Sequence, residues 1–162
     1  MKIDKVLIPL DGSTLAEQAL THTLELTSGR EPTLVLLRAA AASSWPGTDP
    51  TDEQVRVVHE AEDYLAAVKA DLAARGIRRV ETSVWYGMPD SAIVEAAKVN
   101  QVDLIAMTTH GRSGLGRLVM GSVAEAVLRG TTTPILMLRA AEAPLTAPAG
   151  RAETRGTAEV RR

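Results

Sequence analysis

The segment "VDLIAMTTHGRSGLGRLVMGSVAEAVLRG", residues 102–130, contains the clearest indications of the fold. It begins with a continuous apolar run, which predicts a strand buried on both faces because polar residues do not alternate with the apolar ones. A glycine-rich turn follows, and "GSVAEAVLRG" then predicts a short helix. Ser122 and Glu125 have the spacing of a capping box, so the sequence predicts that this helix begins at Ser122. Strand, turn and helix in this order form half of a parallel β-α-β unit.

The rest of the chain repeats the alternation. The runs "KVLIPLD", "TLVLLRA", "RVETSVWYG" and "TPILMLRA" predict four further strands. Helical stripes separate them: Thr14 and Thr51 each stand three residues before Glu or Gln, in capping-box spacing, and Pro89 suits the first turn of a third helix. The predicted fold class is therefore α/β, a single doubly wound, Rossmann-like domain with a five-stranded parallel sheet and helices on both faces.

The predicted domain spans residues 1–139, and residues 140–162 predict a solvated, flexible tail without apolar periodicity. A chain of 162 residues with 45% hydrophobic and 23% charged residues suits one globular domain. The net charge of -2 provides no overall field for nucleic acid or an anionic membrane, and the absence of cysteine excludes disulfides and thiolate chemistry. The apolar run at the amino terminus is too short for a signal or a membrane span, so we expect a cytoplasmic protein.

Two loops are candidates for a ligand site. In open α/β sheets, ligands bind beyond the carboxyl ends of strands, where the strand order reverses. If the first strand is central and the fourth lies beside it, "PLDGS", residues 9–13, meets the glycine-rich turn in one crevice. Asp11 would then contact the ligand there, or alternatively cap the first helix.

The chemistry of the glycine-rich turn suits phosphate. The glycines of "GRSGLG", residues 111–116, permit close approach of the backbone, and a helix beginning at Ser122 offers free N–H groups to an anion. A Walker A loop is excluded because the turn lacks lysine, and a dinucleotide fingerprint is broken by Val119 at its third glycine. Nucleic-acid binding would need a wider basic surface or stacking aromatic residues. A phosphate site and a plain glycine-rich surface loop both remain open on this reasoning.

The sequence resembles the nucleotide-binding branch of the universal stress protein family. In that branch G-x-x-G is followed by nine residues and G-[S/T]; here Gly111, nine residues and Gly121-Ser122 match, together with "VLIPLDGS" and "TTTPILML". The resemblance covers residues 1–139. One position departs from the pattern, because Thr108 stands where the family has the first glycine.

The resemblance implies binding of ATP or another adenine nucleotide, with a divalent cation such as Mg²⁺ on its phosphates and no separate metal site or catalytic residue. It assigns the base and ribose to the first-strand loop, an adenine contact to the second strand, and the ribose and phosphates to the segment around the glycine-rich turn. The residues implied in that order are Pro9, Leu10 and Asp11; Ala39; Met107 and Thr108; and Gly111, Arg112, Gly121, Ser122 and Val123. It also implies a homodimer through the last strand, Pro134 to Arg139.

Three functions remain open at this point. The first is a regulatory protein whose nucleotide occupancy signals stress. The second is a slow ATP hydrolase or phosphotransferase that uses Asp11 or His110, and the lack of a recognisable nucleophile–base pair counts against it. The third is an interaction module that has lost nucleotide binding. This hypothesis is retained because Thr108 carries a side chain where the family has glycine.

Overall fold

The computed structural model describes residues 2–41, 50–109 and 120–139. Within them strands and helices alternate, as the sequence predicts. The elements in chain order are β1 (Lys5–Pro9), α1 (Thr14–Leu26), β2 (Thr33–Ala40), α2 (Pro50–Ala74), β3 (Val80–Tyr86), α3 (Pro89–Val99), β4 (Leu104–Thr108), α4 (Ser122–Gly130) and β5 (Ile135–Leu138).

The five strands form one parallel sheet in the order β3-β2-β1-β4-β5. Val6 at the centre of the sheet pairs with Leu34 of β2 on one side and with Leu104 of β4 on the other. β1 is therefore central and β4 lies beside it, which is the arrangement on which the predicted crevice between the two loops depends. The strand order reverses between β1 and β4, so a crevice is expected beyond their carboxyl ends.

The sheet separates two apolar cores, and successive residues of one strand face opposite cores. Val6 and Ile8 pack with α1 and α2, whereas Leu7 between them packs with α3 and α4. All three side chains are fully buried. The continuous apolar run of β1 thus reflects burial on both faces, and the predicted doubly wound α/β fold is confirmed.

The helix predicted to begin at Ser122 does begin there, as α4, but two predicted N-caps are wrong by one residue. Ser13, not Thr14, caps α1, because Ser13 has an extended backbone and its Oγ accepts the N–H of Ala16 over 3.1 Å. Gly121, not Ser122, is the N-cap of α4, and no side chain of the described residues caps that end. Ser122 is therefore the first helical residue, and its backbone N–H belongs to the uncapped first turn.

Candidate functional site

The loop after β1 is a tight turn held by Asp11. Oδ1 of Asp11 accepts two hydrogen bonds from Ser13, one from the backbone N–H over 2.9 Å and one from Oγ over 2.6 Å. Gly12 between them has φ +82°, in the left-handed region that favours glycine. Asp11 does not cap α1 itself; it fixes Ser13, which does.

The segment that leads into α4 is tied to the end of β4. Thr109 donates its backbone N–H to Leu138 of β5 over 2.9 Å, and its carbonyl accepts the N–H of Gly121 over 2.8 Å. Gly121 is thereby held directly beside the end of β4, although residues 110–120 separate Thr109 from Gly121 in the chain. The amino terminus of α4, with the partial positive charge of its dipole, begins at this point.

One cleft of about 580 Å³ spans both loops at the switch point of the sheet. This volume falls within the range of about 300–1,000 Å³ that small-molecule sites occupy. Every predicted ligand residue that the structure describes lines the cleft: Pro9, Leu10, Asp11, Ala39, Met107, Thr108, Gly121, Ser122 and Val123. Gly111 and Arg112, together with His110, lie outside the described residues.

Thr108, the position that departs from the family pattern, lies at the last residue of β4. Its side chain is buried, with 8% of its surface exposed, and it forms part of the cleft wall. Thr108 is therefore largely shielded from solvent at the wall of the cleft.

Several lining residues were not predicted. Ala16, Leu37, Arg38, Val57, Glu60, Pro89 and Ile93 also face the cleft. Arg38 carried a signal, because a lone charge interrupts the apolar run "TLVLLRA". Val57 and Glu60 come from α2, and their place depends on how that helix packs across the sheet, which the sequence pattern does not specify.

The guanidinium of Arg38 lies over the ring of Tyr64, with 4.7 Å between Cζ and the ring centroid. Tyr64 in turn donates its hydroxyl to Oε1 of Glu17 over 2.8 Å. Burial raises the pKa of Tyr64 above its ordinary value, and the bond to Glu17 raises it further. The phenol therefore stays protonated and serves as a neutral platform for the cation.

A second hollow of about 600 Å³ lies at the amino ends of the strands. Two of its cations are already engaged: Arg79 donates to the carbonyl of Glu31 over 2.7 Å, and Lys2 pairs with Asp4 over 2.8 Å. Because this hollow is remote from the switch point of the sheet, the cleft at the carboxyl ends is the better candidate.

Over residues 2–41, 50–109 and 120–139, no three or more histidine or acidic side chains cluster in a way that could hold a metal ion. In the same part of the chain, no helix is both long enough and apolar enough to span a membrane.

Comparisons with known proteins point to one protein family. Residues 2–139 match the model of the universal stress protein family. A universal stress protein of Methanocaldococcus jannaschii, MJ0531, is 29% identical over 140 residues, which cover 83% of this chain and 81% of the relative.

Solved structures agree with the fold. Universal stress protein UspA from Lactobacillus plantarum aligns with a TM-score of 0.74 at 22% identity, covering 86% of this chain and 99% of that one. A universal stress protein solved in complex with cAMP aligns with a TM-score of 0.59 at 22% identity, covering 86% and 99%. At these identities the structures support the shared architecture.

Proposed function

We propose that this chain, which belongs to the universal stress protein family, binds an adenine nucleotide in the cleft between the β1 loop and α4. ATP is the ligand that we favour, and nucleotide occupancy would be the protein's regulatory output in a stress response. The protein would act in the cytoplasm, where adenine nucleotides are available.

The observation that carries this proposal is the convergence of separate segments on one cleft. The ligand residues predicted from the sequence lie on or next to β1, β2, β4 and α4, and some are more than a hundred positions apart in the chain. All of them that the structure describes nevertheless line the same cleft. Chance would not bring a set selected for one ligand into a single pocket at the switch point. The related structure with cAMP supports an adenine nucleotide as the ligand class.

The two ends of the cleft suit the two ends of a nucleotide. The amino terminus of α4 offers backbone N–H groups and a favourable dipole to phosphates, and within the described part of the chain no side chain caps it and competes for them. The β1 loop and Ala39 at the other end offer apolar surface and backbone to a base. Gly111 and Arg112 would complete the phosphate end.

Mg²⁺ would enter with the phosphates. The described residues provide no cluster of three ligating side chains, so the phosphate oxygens and water would supply most of its coordination, as is usual for this ion. Asp11 and Glu60 both line the cleft, and of these two carboxylates Asp11, at the end of β1, is the one that we propose would add to it. A cation held in this way neutralises the triphosphate.

A second copy of the chain would pair along β5. This strand is at the edge of the sheet, and all four of its residues are only half-buried. An apolar edge strand presents unpaired backbone groups that invite another strand. We therefore propose a homodimer through Pro134–Arg139.

Calorimetry with ATP and Mg²⁺ tests the binding proposal. We expect saturable heat from the purified protein, and nucleotide should be detected by mass spectrometry when a fresh preparation is denatured. Absence of heat at millimolar ATP, together with no bound nucleotide, would leave the interaction module as the better description. Steady phosphate release that Asp11→Ala abolishes would instead favour a hydrolase.

A further inference from the structure

Arg38 is the one charged residue of β2, and its guanidinium lies in a narrow slot between two other elements of the fold. The ring of Tyr64 lies on one side, 4.7 Å from Cζ. Gly12 of the β1 loop lies on the other, where a Cβ would stand only 2.7 Å from Nη1. The guanidinium is therefore held between α2 and the loop, and Arg38 is one of the residues that line the cleft.

Nη1 of Arg38 is buried and has no hydrogen-bond partner among the described residues. A buried, charged donor without a partner is costly, because it has lost water and gained nothing in exchange. The ring of Tyr64 offsets part of that cost through a cation–π contact. The ring cannot accept the N–H hydrogens that lie in the plane of the guanidinium, so the hydrogen-bonding capacity of Nη1 is unused within the described residues.

The sheet order decides which end of a ligand Arg38 would meet. β2 carries Arg38, β4 leads into the amino terminus of α4, and β1 lies between them. Neighbouring strands are about 4.8 Å apart, so β2 and β4 are separated by about 10 Å. A nucleotide whose phosphates lie at α4 therefore directs its base towards β2 and Arg38.

We propose that Arg38 is the base-selecting residue of the site: Nη1 donates a hydrogen bond to an acceptor atom on the edge of the purine ring. This inference rests on the proposed nucleotide site and deepens it. Because a guanidinium has donors and no acceptor, it selects a base that presents a ring nitrogen or carbonyl at that position and disfavours one that presents an amino group there.

The test compares Arg38→Met with the unsubstituted protein in calorimetry, using MgATP and inorganic tripolyphosphate as two probes. Methionine keeps an unbranched apolar stem over Tyr64 but removes the donor. We expect ATP affinity to fall by about 10- to 100-fold, as for loss of a charged hydrogen bond, with tripolyphosphate affinity unchanged. The matched control is Arg79→Met, which removes an arginine at the opposite end of the sheet and should change neither affinity.

The outcomes are separable. Equal loss of ATP and tripolyphosphate affinity would show that Arg38 acts on the phosphates and would overturn the base-selecting role. Unchanged ATP affinity in a folded Arg38→Met variant would overturn the inference but leave the proposed function standing. No ATP binding by the unsubstituted protein would overturn both. If Arg38→Met is poorly folded by circular dichroism, Arg38→Lys, which retains charge but not the planar fork, should show the same selective loss to a smaller degree.

Discussion

Tyr64 of α2 and Glu17 of α1 join the two helices on one face of the sheet through a single hydrogen bond, from the tyrosine hydroxyl to Oε1, of 2.8 Å. The two residues are 47 positions apart in the chain. Tyr64 also supports the guanidinium of Arg38. The bond therefore connects the packing of both helices to one wall of the cleft.

Tyr64→Phe removes that bond and keeps the ring. Glu17 is then left without its donor in a half-buried place, so we expect the free energy of unfolding to fall by about 1–2 kcal/mol. Urea denaturation followed by circular dichroism measures this change. Tyr86→Phe is the control, since Tyr86 is 52% exposed and should tolerate the loss of its hydroxyl. Equal effects of the two changes would show that the bond to Glu17 contributes no net stability.

Asp103, just before β4, makes stability depend on pH in the acid range. Its Oδ2 accepts the backbone N–H of Asp4 over 2.8 Å and of Lys5 over 2.9 Å, and these two bonds lower the pKa of the carboxyl below its ordinary value. A lowered pKa stabilises the fold above the unfolded value of about 3.8, and this contribution is lost as the pH falls through the folded pKa.

We therefore expect Asp103→Ala to lower the urea midpoint at pH 7, and we expect this difference to shrink as the pH falls below the unfolded value of about 3.8. Asp63→Ala, at an exposed acid on α2, is the control and should show no comparable dependence on pH. If the difference in urea midpoint between Asp103→Ala and the unsubstituted protein stayed constant across this pH range, the charge of the carboxylate would not be what stabilises the loop.

Two helices end in the same motif with different residues at its left-handed position. After α2, Gly76 has φ +86° and Ile77 donates its N–H to Leu72. After α3, Gln101 has φ +50° and Val102 donates to Ala97 in the same way. These bonds are the Schellman pattern, which glycine adopts without the Cβ penalty.

Gln101→Gly should consequently raise the free energy of unfolding by about 0.5–1 kcal/mol, because relief of the left-handed strain exceeds the added flexibility of the unfolded chain. Gly76→Ala should lower it by about 1 kcal/mol. Nothing lies within 4 Å of a Cβ at Gly76, so that change reports backbone strain alone. A stability loss in Gln101→Gly would mean that the glutamine side chain contributes more than its backbone costs.

Gly12 differs from Gly29, although both have similar positive φ values of +82° and +79°. A Cβ at Gly29 would meet nothing within 4 Å, whereas one at Gly12 would press on the guanidinium of Arg38. Gly29→Ala should therefore cost about 1 kcal/mol of stability. Gly12→Ala should cost about 1 kcal/mol more, because Arg38 must leave the ring of Tyr64.

A double substitution tests that explanation. In an Arg38→Met background the end of the side chain is flexible and uncharged, so the excess cost of Gly12→Ala over Gly29→Ala should shrink. Thermal denaturation of the four combinations gives the coupling between the two positions. Additive effects of Gly12→Ala and Arg38→Met would show that the loop and the guanidinium do not restrain each other.

The order of strands and helices was predictable because its signals are strong and local. Leu7 and Ile105 belong to continuous apolar runs, and each is fully buried in the sheet. The convergence of the β1 loop with the α4 segment followed from the general rule for parallel sheets, once β1 and β4 were neighbours. These two steps brought Asp11 and Gly121 to one cleft.

The errors arose where a choice between adjacent residues depends on tertiary contacts. Ser13 and Thr14 are both good caps by type, and only the turn that Asp11 fixes selects Ser13. Glu60 of α2 reaches the cleft through the way that the helix crosses the sheet, which no local pattern encodes. Arg38 could be recognised in the sequence as a lone charge in an apolar strand. Its position between Tyr64 and Gly12 could not be predicted, because it depends on where α2 and the β1 loop lie.

Gly121→Val tests the phosphate end of the cleft. Gly121 has φ -61° and ψ 149°, values that valine adopts readily, so the fold should survive with a modest loss at the N-cap. The added side chain would block close approach of phosphate to the first turn of α4, and we expect ATP affinity to fall by about tenfold or more. Adenosine, which lacks phosphates, should bind both proteins alike in calorimetry, the reverse of the pattern expected for Arg38→Met. Unchanged ATP affinity in a folded Gly121→Val protein would mean that the phosphates lie away from α4.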